Sequence, residues 1–219
     1  MRIRTSQTHP LRIDAVDYPD GPGRIGLTLC PGKEQPDAKT GAWARDLEAD
    51  MEVIHRWGAR AVVTLIEPQE LEQLQVEGLP RAVKTRGMGW CHLPIPDRHA
   101  PDERFISAWP ESGLGLHLHL LRGENVLLHC MGGLGRTGTV AAQLLIETGM
   151  TPAEAIRRVR AVRPNAIETR AQEHYLQDLP ERDFRIPREP EKRRAVATHL
   201  ERSTAEAGAF EVLYSPEPR

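Results

Sequence analysis

Short apolar runs alternate with stretches of helical spacing along most of the chain. Leu11 to Val16 and Ile25 to Leu29 are two such runs, and Asp20-Gly21-Pro22-Gly23 between them is a turn signal that predicts an antiparallel pair of strands. Ala61 to Ile66 is almost continuously apolar, which is typical of a strand buried on both faces of a parallel sheet. Asn125 to Leu128 predicts another buried strand.

Apolar residues recur at helical intervals in the segments between these strands. One helix is predicted from Ala44 to Trp57, where Gly58 ends it, and Pro110 is expected to interrupt a later helix. The other predicted helices are 70–75, 102–109, 116–123, 140–149, one that begins after Thr151, and 169–179. This order predicts a single α/β domain whose mainly parallel central sheet of about five strands is flanked by helices on both faces.

The pattern also divides the chain into three parts. We expect the folded domain to span residues 11–180, after an N-terminal extension of residues 1–10. Residues 181–219 are rich in Arg, Glu and Pro, and they predict a charged C-terminal arm or tail with one helical fragment at Ala195 to Leu200. No internal repeat is present.

Composition narrows the classes of partner and compartment. The net charge is -2, which gives no general case for a nucleic acid partner, and no apolar run approaches the length of a membrane span. Cys30, Cys91 and Cys130 are widely spaced and form no zinc-type cluster, so we expect a reducing cytoplasm, no metal and no cofactor. His117 and His119 lie two residues apart on a predicted helix, where they cannot share a metal, and we expect both at the surface.

The segment His129 to Thr137 follows one predicted strand and precedes a predicted helix. Its sequence is His-Cys-Met-Gly-Gly-Leu-Gly-Arg-Thr. Glycines allow successive backbone N–H groups to turn inward as an anion nest, and the helix that follows adds its positive N-terminal end. Arg136 can grip two phosphate oxygens with its planar guanidinium. The predicted phosphate-binding residues are therefore Met131, Gly132, Gly133, Leu134, Gly135 and Arg136.

Cys130 is the predicted nucleophile of this loop. Helix N-termini and neighbouring cations favour the thiolate, which would attack phosphorus and form a phosphocysteine. Thr137 is expected to hydrogen-bond the sulfur as it leaves. We expect His129 to support the loop through hydrogen bonds and not to act as a base.

Expulsion of an alkoxide or phenoxide requires a general acid. Asp97 is the candidate, because it ends the stiff segment Leu93-Pro94-Ile95-Pro96 at the sheet edge where parallel strands place their sites. The same carboxylate would then take a proton from the hydrolytic water. The alternative is a turn aspartate before Arg98, whereas Asp102 is expected to cap the helix that follows it.

The motif His129-Cys130-x5-Arg136-Thr137 resembles the signature of cysteine-dependent protein phosphatases, the tyrosine and dual-specificity superfamily. The chain is most similar to the cyclin-dependent-kinase-associated phosphatase group, from about Leu11 to Leu179. The resemblance is carried by Cys30-Pro31-Gly32, Pro94-Ile95-Pro96-Asp97, the cysteine loop itself and Ala166-Ile167-Glu168-Thr169-x-x-Gln172-x-x-Tyr175-Leu176. It implies a dual-specificity phosphatase-like fold, Asp97 as general acid, and at Gln172 either placement of helix or water or a packing hydrogen bond.

The resemblance does not identify the substrate. Phosphoinositide-directed relatives carry lysines within the loop, whereas Met131 to Gly135 has no charged residue, so we expect a phosphoprotein. Phosphotyrosine is the expected target, with phosphoserine and phosphothreonine left open. A rhodanese-like sulfurtransferase and a phosphate-binding module without turnover are the alternatives. Cys30 and Cys91 have two interpretations, as packing residues or as disulfide partners of an oxidised Cys130. For Lys33, Trp43 and His92, packing or surface roles are favoured over substrate contact.

Overall fold

A five-stranded sheet forms the centre of the computed structural model, which describes residues 3–38 and 41–179. The predicted fragment at 195–200 lies outside these residues. The strands are β1 Asp14–Asp17, β2 Arg24–Thr28, β3 Glu34–Gln35, β4 Trp43–Ala44, β5 Ala59–Thr64, β6 Gly89–His92 and β7 Asn125–His129. The central sheet has the order β1-β2-β7-β5-β6, and β3 pairs with β4 in a separate two-stranded sheet.

The strand directions confirm the predicted mainly parallel sheet. β1 runs antiparallel to β2, and all the other neighbours in the central sheet are parallel. β7 lies in the middle, where Val126, Leu127 and Leu128 are fully buried because both faces of the sheet are covered. The strand therefore delivers Cys130, the residue that follows it, to the carboxyl edge of the sheet.

Helices cover both faces of this sheet. They are α1 Leu47–Arg56, α2 Pro68–Gln73, α3 Leu79–Lys84, α4 Glu103–Leu121, α5 Gly135–Ile146, α6 Pro152–Val162 and α7 Arg170–Gln177. α3 was not predicted, because it is a short helix with a proline in its first turn. Asp102 caps α4 and Thr151 caps α6 as expected. No helix in the described ranges is long and apolar enough to cross a membrane.

The prediction that Pro110 interrupts a helix was wrong. α4 is continuous from Glu103 to Leu121 and contains this proline. Pro110 lacks the N–H group that would bond the carbonyl of Ile106, so one helical hydrogen bond is absent, at a residue that is 38% exposed. Phe105 and Trp109 are buried in the core, and their packing stabilises the helix that contains the proline.

The prediction that His117 lies at the surface was also wrong. Its side chain is buried, with Nδ1 2.9 Å from the Tyr18 hydroxyl and Nε2 2.8 Å from Glu147 Oε2. The indole Nε1 of Trp109 donates to Glu147 Oε1 at 2.7 Å. Helical periodicity alone did not reveal that an acidic partner on α5's C-terminal cap would satisfy this imidazole. His119 is half-buried against Glu124, 2.5 Å away.

The Glu147 carboxylate is stabilised in its ionised form by this network. Burial by itself raises its pKa, but hydrogen bonds from His117, Gln143 and Trp109 outweigh burial and leave the pKa below its ordinary value of 4.5. A carboxylate with a lowered pKa in the folded state stabilises the fold above the ordinary pKa. That contribution is lost as the pH falls through the folded-state pKa.

We therefore expect Glu147→Gln to lower the free energy of unfolding by about 1.5–3 kcal/mol at pH 7, the range for a hydrogen bond to a charged group. The difference from wild type should shrink below pH 4.5, where the wild-type carboxyl also becomes neutral. Urea unfolding at several pH values measures the difference in unfolding free energy and its dependence on pH. Glu111→Gln, an exposed position on α4, is the matched control. A pH-independent difference would contradict the ionised network.

Candidate active site

The loop from Cys130 to Leu134 joins β7 to α5 and curls around the cysteine sulfur. The backbone N–H of Gly133 donates to Cys130 Sγ at 3.2 Å. Gly133 has a φ of 71°, and a Cβ atom there would lie 2.2 Å from the Thr28 carbonyl oxygen. Only glycine fits this position, because both its backbone angle and its close approach to β2 exclude a side chain.

Arg136 lies in the first turn of α5 and is almost completely buried. Its guanidinium makes a bidentate pair with Glu70, with Nη1–Oε2 at 2.6 Å and Nη2–Oε1 at 2.9 Å. Nη1 also donates to the carbonyl of Ile95 at 3.0 Å. Burial lowers the pKa of Arg136, but the hydrogen bonds that Arg136 donates to the Glu70 carboxylate overcome burial and raise the pKa above its ordinary value.

Asp97 lies directly beside this arginine. Its Oδ1 accepts a hydrogen bond from Arg136 Nη2 at 2.9 Å, and its side chain is 57% exposed. The tertiary structure thus brings together two residues that are 39 positions apart and that the sequence singled out separately. An exposed carboxyl group next to a buried guanidinium is accessible to a leaving group and to water.

Gln172 supports the segment that carries Asp97. Its buried side chain donates from Nε2 to the carbonyl of His99 at 3.0 Å, and His99 Nδ1 lies 2.7 Å from the Asp97 carbonyl. Its Oε1 accepts from the backbone N–H groups of Glu168 and Thr169, which closes a capping box at the start of α7. The structure thus links the position of α7 to the loop of the candidate acid.

His129 supports the strand end. It is fully buried, and its Nε2 lies 2.8 Å from the Thr64 hydroxyl, which also accepts a hydrogen bond from Trp90 Nε1 at 2.9 Å. Burial lowers the pKa of His129 to about 3, so the imidazole is neutral near physiological pH. Thr137 is buried nearby, and among the described residues its hydroxyl makes no hydrogen bond. Its contact with the leaving sulfur stays a prediction.

Three contacts of the candidate site were not predicted from the sequence. They are Glu70 on α2, which holds Arg136; Glu168, whose Oε2 accepts from the Gly135 N–H at 2.8 Å; and Arg163, which donates to the carbonyls of Gly132 and Gly133. Each partner is at least 30 residues away in the chain. No local spacing signals such pairs. Only the capping position of Glu70 was detectable from its neighbours.

The other cysteines and the remaining candidates occupy different surroundings. Cys30 lies beside the loop, with its N–H donating to the Met131 carbonyl at 3.3 Å, and burial raises the pKa of its thiol. Burial raises the pKa of Cys91 on β6 to about 11. His92 stacks on Trp90 and contacts the Ile66 carbonyl. Within residues 3–38 and 41–179, no group of three His, Cys, Asp or Glu side chains is placed to hold a metal.

Comparison with known proteins agrees with this geometry. Residues 42–176 match the model of the family described as PTP-SAK, Swiss Army Knife protein, DSP-PTPase phosphatase domain. The chain belongs to this family of cysteine-dependent phosphatases. A curated relative, cyclin-dependent kinase inhibitor 3 of Sus scrofa, is 33% identical over 158 residues, which cover 71% of each chain.

Solved structures confirm the fold of this phosphatase domain. The kinase associated phosphatase KAP, crystallised with its catalytic-site cysteine replaced by serine, has a TM-score of 0.68 and 28% identity over 76% of this chain and 92% of its own. Tk-PTP in its active form has a TM-score of 0.57 and 31% identity over 75% of this chain and 99% of its own. The predicted dual-specificity phosphatase-like architecture is therefore confirmed.

We expect Glu70→Gln to weaken binding of inorganic phosphate by about tenfold to a hundredfold, because loss of the carboxylate charge frees the guanidinium from its fixed orientation. Glutamine still completes the capping box of α2, so the helix should persist. Isothermal titration with phosphate measures the effect. Glu72→Gln, exposed on the same helix, is the control. Equal affinity in the two variants would show that Arg136 does not need Glu70.

Proposed function

We propose that this chain is a protein phosphatase that hydrolyses phosphotyrosine through a phosphocysteine intermediate, with phosphoserine and phosphothreonine as further candidate substrates. The observation that carries the proposal is the position of Arg136. This guanidinium connects the cysteine loop to the exposed carboxyl group of Asp97. In this proposal, nucleophile, phosphate anchor and acid act together at one edge of the sheet.

In the first step the Cys130 thiolate attacks phosphorus and forms an S–P bond. The bond from phosphorus to the substrate oxygen breaks, and Asp97 in its protonated form gives that oxygen a proton. The loop N–H groups and Arg136 stabilise the charge on the equatorial oxygens. If Arg136 Nη2 binds a phosphate oxygen, it exchanges its Asp97 contact for that oxygen, which releases the carboxyl group toward the leaving group.

In the second step water attacks the phosphocysteine. Asp97 takes a proton from that water, the S–P bond breaks, and inorganic phosphate leaves with the thiolate regenerated. Thr137 is proposed to donate a hydrogen bond to the departing sulfur, which is consistent with a buried hydroxyl whose donor is unused among the described residues. Gln172 is proposed to keep the Asp97 segment in place for both proton transfers, through its contact with the His99 carbonyl.

A phosphoprotein is the proposed substrate class. The loop has no charged side chain between Cys130 and Arg136, so an inositol phosphate gains no additional contact there. The relative named kinase associated phosphatase supports a phosphorylated protein as partner. We place the reaction in the cytoplasm, where the catalytic thiol stays reduced.

The test is hydrolysis of an aryl phosphate and of phosphotyrosine and phosphothreonine peptides. We expect no turnover with Cys130→Ser, a large loss with Arg136→Lys, and a loss of about 10²–10⁴ in kcat with Asp97→Ala. Asp17→Ala, at an 89% exposed side chain on β1, is the matched control.

Each alternative predicts a different result in the same assay. A sulfurtransferase would transfer sulfur to cyanide and keep that activity in Asp97→Ala, because it needs no general acid. A binding module without turnover would hold the phosphopeptide equally well in wild type and Cys130→Ser, and neither would release phosphate. Retained hydrolysis in Cys130→Ser would exclude the covalent mechanism.

A further inference from the structure

Three consecutive carbonyl groups of the cysteine loop are held from outside by cationic side chains. The Met131 carbonyl accepts from Lys33 Nζ at 3.2 Å. The Gly132 carbonyl accepts from Arg163 Nη2 at 3.1 Å, and the Gly133 carbonyl accepts from Arg163 Nε. Each of these three carbonyl groups therefore accepts a hydrogen bond from a side chain outside the loop.

Peptide geometry connects these contacts to the anion site. In a trans peptide the C=O of one residue and the N–H of the next point in opposite directions. Hydrogen bonds that hold the carbonyls of residues 131–133 outward therefore direct the N–H groups of residues 132–134 inward. The N–H of Gly133 shows this direction, since it donates to Cys130 Sγ. The Gly133 N–H shares a peptide group with the Gly132 carbonyl. Its orientation therefore follows from that carbonyl, which accepts a hydrogen bond from Arg163.

Both cations are themselves anchored. Arg163 Nη1 pairs with Asp14 Oδ2 at 2.7 Å, and both side chains are largely buried, at 13% and 10% exposure. Lys33 follows a tight turn at Gly32, whose N–H donates to Asp50 Oδ2 at 2.9 Å. A Cβ atom at Gly32 would clash with Leu47, 2.6 Å away, so the turn is packed closely against α1.

Lys33 is unusual because its ammonium is buried among neutral oxygens. It is 4% exposed, and Nζ bonds to Gln35 Oε1 at 3.0 Å in addition to the Met131 carbonyl. The Trp43 ring centroid lies 5.0 Å from Nζ. In the part of the chain that the structure describes, no carboxylate comes within ion-pair distance of this ammonium. Burial lowers the pKa of Lys33, as expected for a charge without an anionic partner.

The groups that can supply negative charge to Lys33 are thiols. Cys30 and Cys130 are the acidic groups that interact with its charge, and burial keeps the Cys30 thiol neutral by raising its pKa. Cys130 is the remaining acidic group that can act as a counter-charge. Arg136 also acts on Cys130, but its guanidinium is already paired with the Glu70 and Asp97 carboxylates. Unlike Arg136, Lys33 has no carboxylate partner within residues 3–38 and 41–179.

We propose that Lys33 and Arg163 are positioning residues of the site, which hold the loop open as a preformed anion nest from two sides. Arg163 fixes the two glycine carbonyls, and Lys33 both fixes the Met131 carbonyl and supplies the positive charge that favours the Cys130 thiolate. The proposal rests on the proposed function only in that Cys130 is the nucleophile. Side chains outside the motif thus determine the shape of the loop.

The first test measures the pH midpoint of iodoacetamide alkylation of Cys130, identified by mass spectrometry, in wild type and Lys33→Met. We expect the midpoint to rise by about one pH unit, because one nearby positive charge is removed. Lys33→Arg should keep the wild-type midpoint, since the charge remains. Lys84→Met, exposed at the end of α3, is the matched control. An unchanged midpoint in Lys33→Met, or a rise in both variants, would overturn the electrostatic role.

The second test measures inorganic phosphate binding by titration calorimetry in Arg163→Met. We expect affinity to fall by about tenfold, because the N–H groups of Gly133 and Leu134 lose their fixed direction, while the alkylation midpoint stays near that of wild type. Arg158→Met is the control, because Arg158 lies on α6, the helix that Arg163 caps, and makes an exposed ion pair with Glu154. Circular dichroism and thermal unfolding verify that the variants fold, and Arg163→Lys replaces Arg163→Met if the latter unfolds. Wild-type affinity in the folded variant would contradict the proposal.

These readouts do not require turnover. If wild type fails to hydrolyse phosphate esters while Lys33→Met and Arg163→Met behave as expected, the phosphatase proposal fails and the positioning roles stand. If wild type is active and both variants match their controls in alkylation and phosphate binding, the positioning roles fail alone.

Discussion

The buried guanidinium of Arg136 is the constraint on which the site depends. A charge in the protein interior must be paired and hydrogen-bonded, and this one obtains its partners from α2 and from the segment before Asp97. Glu70 and the Ile95 carbonyl are therefore brought to the start of α5. A buried ion pair adds little net stability on average, so the pair is better explained by the orientation that it imposes on the guanidinium.

A second constraint is the crowding between the loop and β2. The Thr28 carbonyl lies so close to Gly133 that no side chain fits, and this contact brings Cys30 and Lys33, which follow the strand, against the Met131 carbonyl. The end of β2 and the turn at Gly32 that follows it thus form one wall of the proposed anion nest. α6 forms another through Arg163. Residues from several elements at this edge of the sheet therefore shape the proposed nest.

The polar network around Glu147 lies at the C-terminal end of α5. His117 and Trp109 bond the buried Glu147 carboxylate, and Tyr18 bonds His117, so that the end of β1, α4 and α5 are tied together. The N-terminus of α5 meets the loop, and its C-terminus meets this network. Both ends of the helix that carries Arg136 are therefore held by charged hydrogen bonds, which fixes the helix along its axis.

The sequence by itself determined the strand before the cysteine, the helix after it and the glycine-rich loop, and it singled out Asp97 as a candidate acid, because each depends on local periodicity, turn chemistry or residue type. It also indicated that the sheet is mainly parallel, because buried strands alternate with helices. Only the tertiary structure decided which distant groups complete the site. Glu70, Arg163 and Lys33 carry no local signal of their roles, since a contact across 30 or more residues depends on how the elements pack. The burial of His117 and the continuity of α4 through Pro110 were decided in the same way, because packing and a distant carboxylate outweighed the local preference.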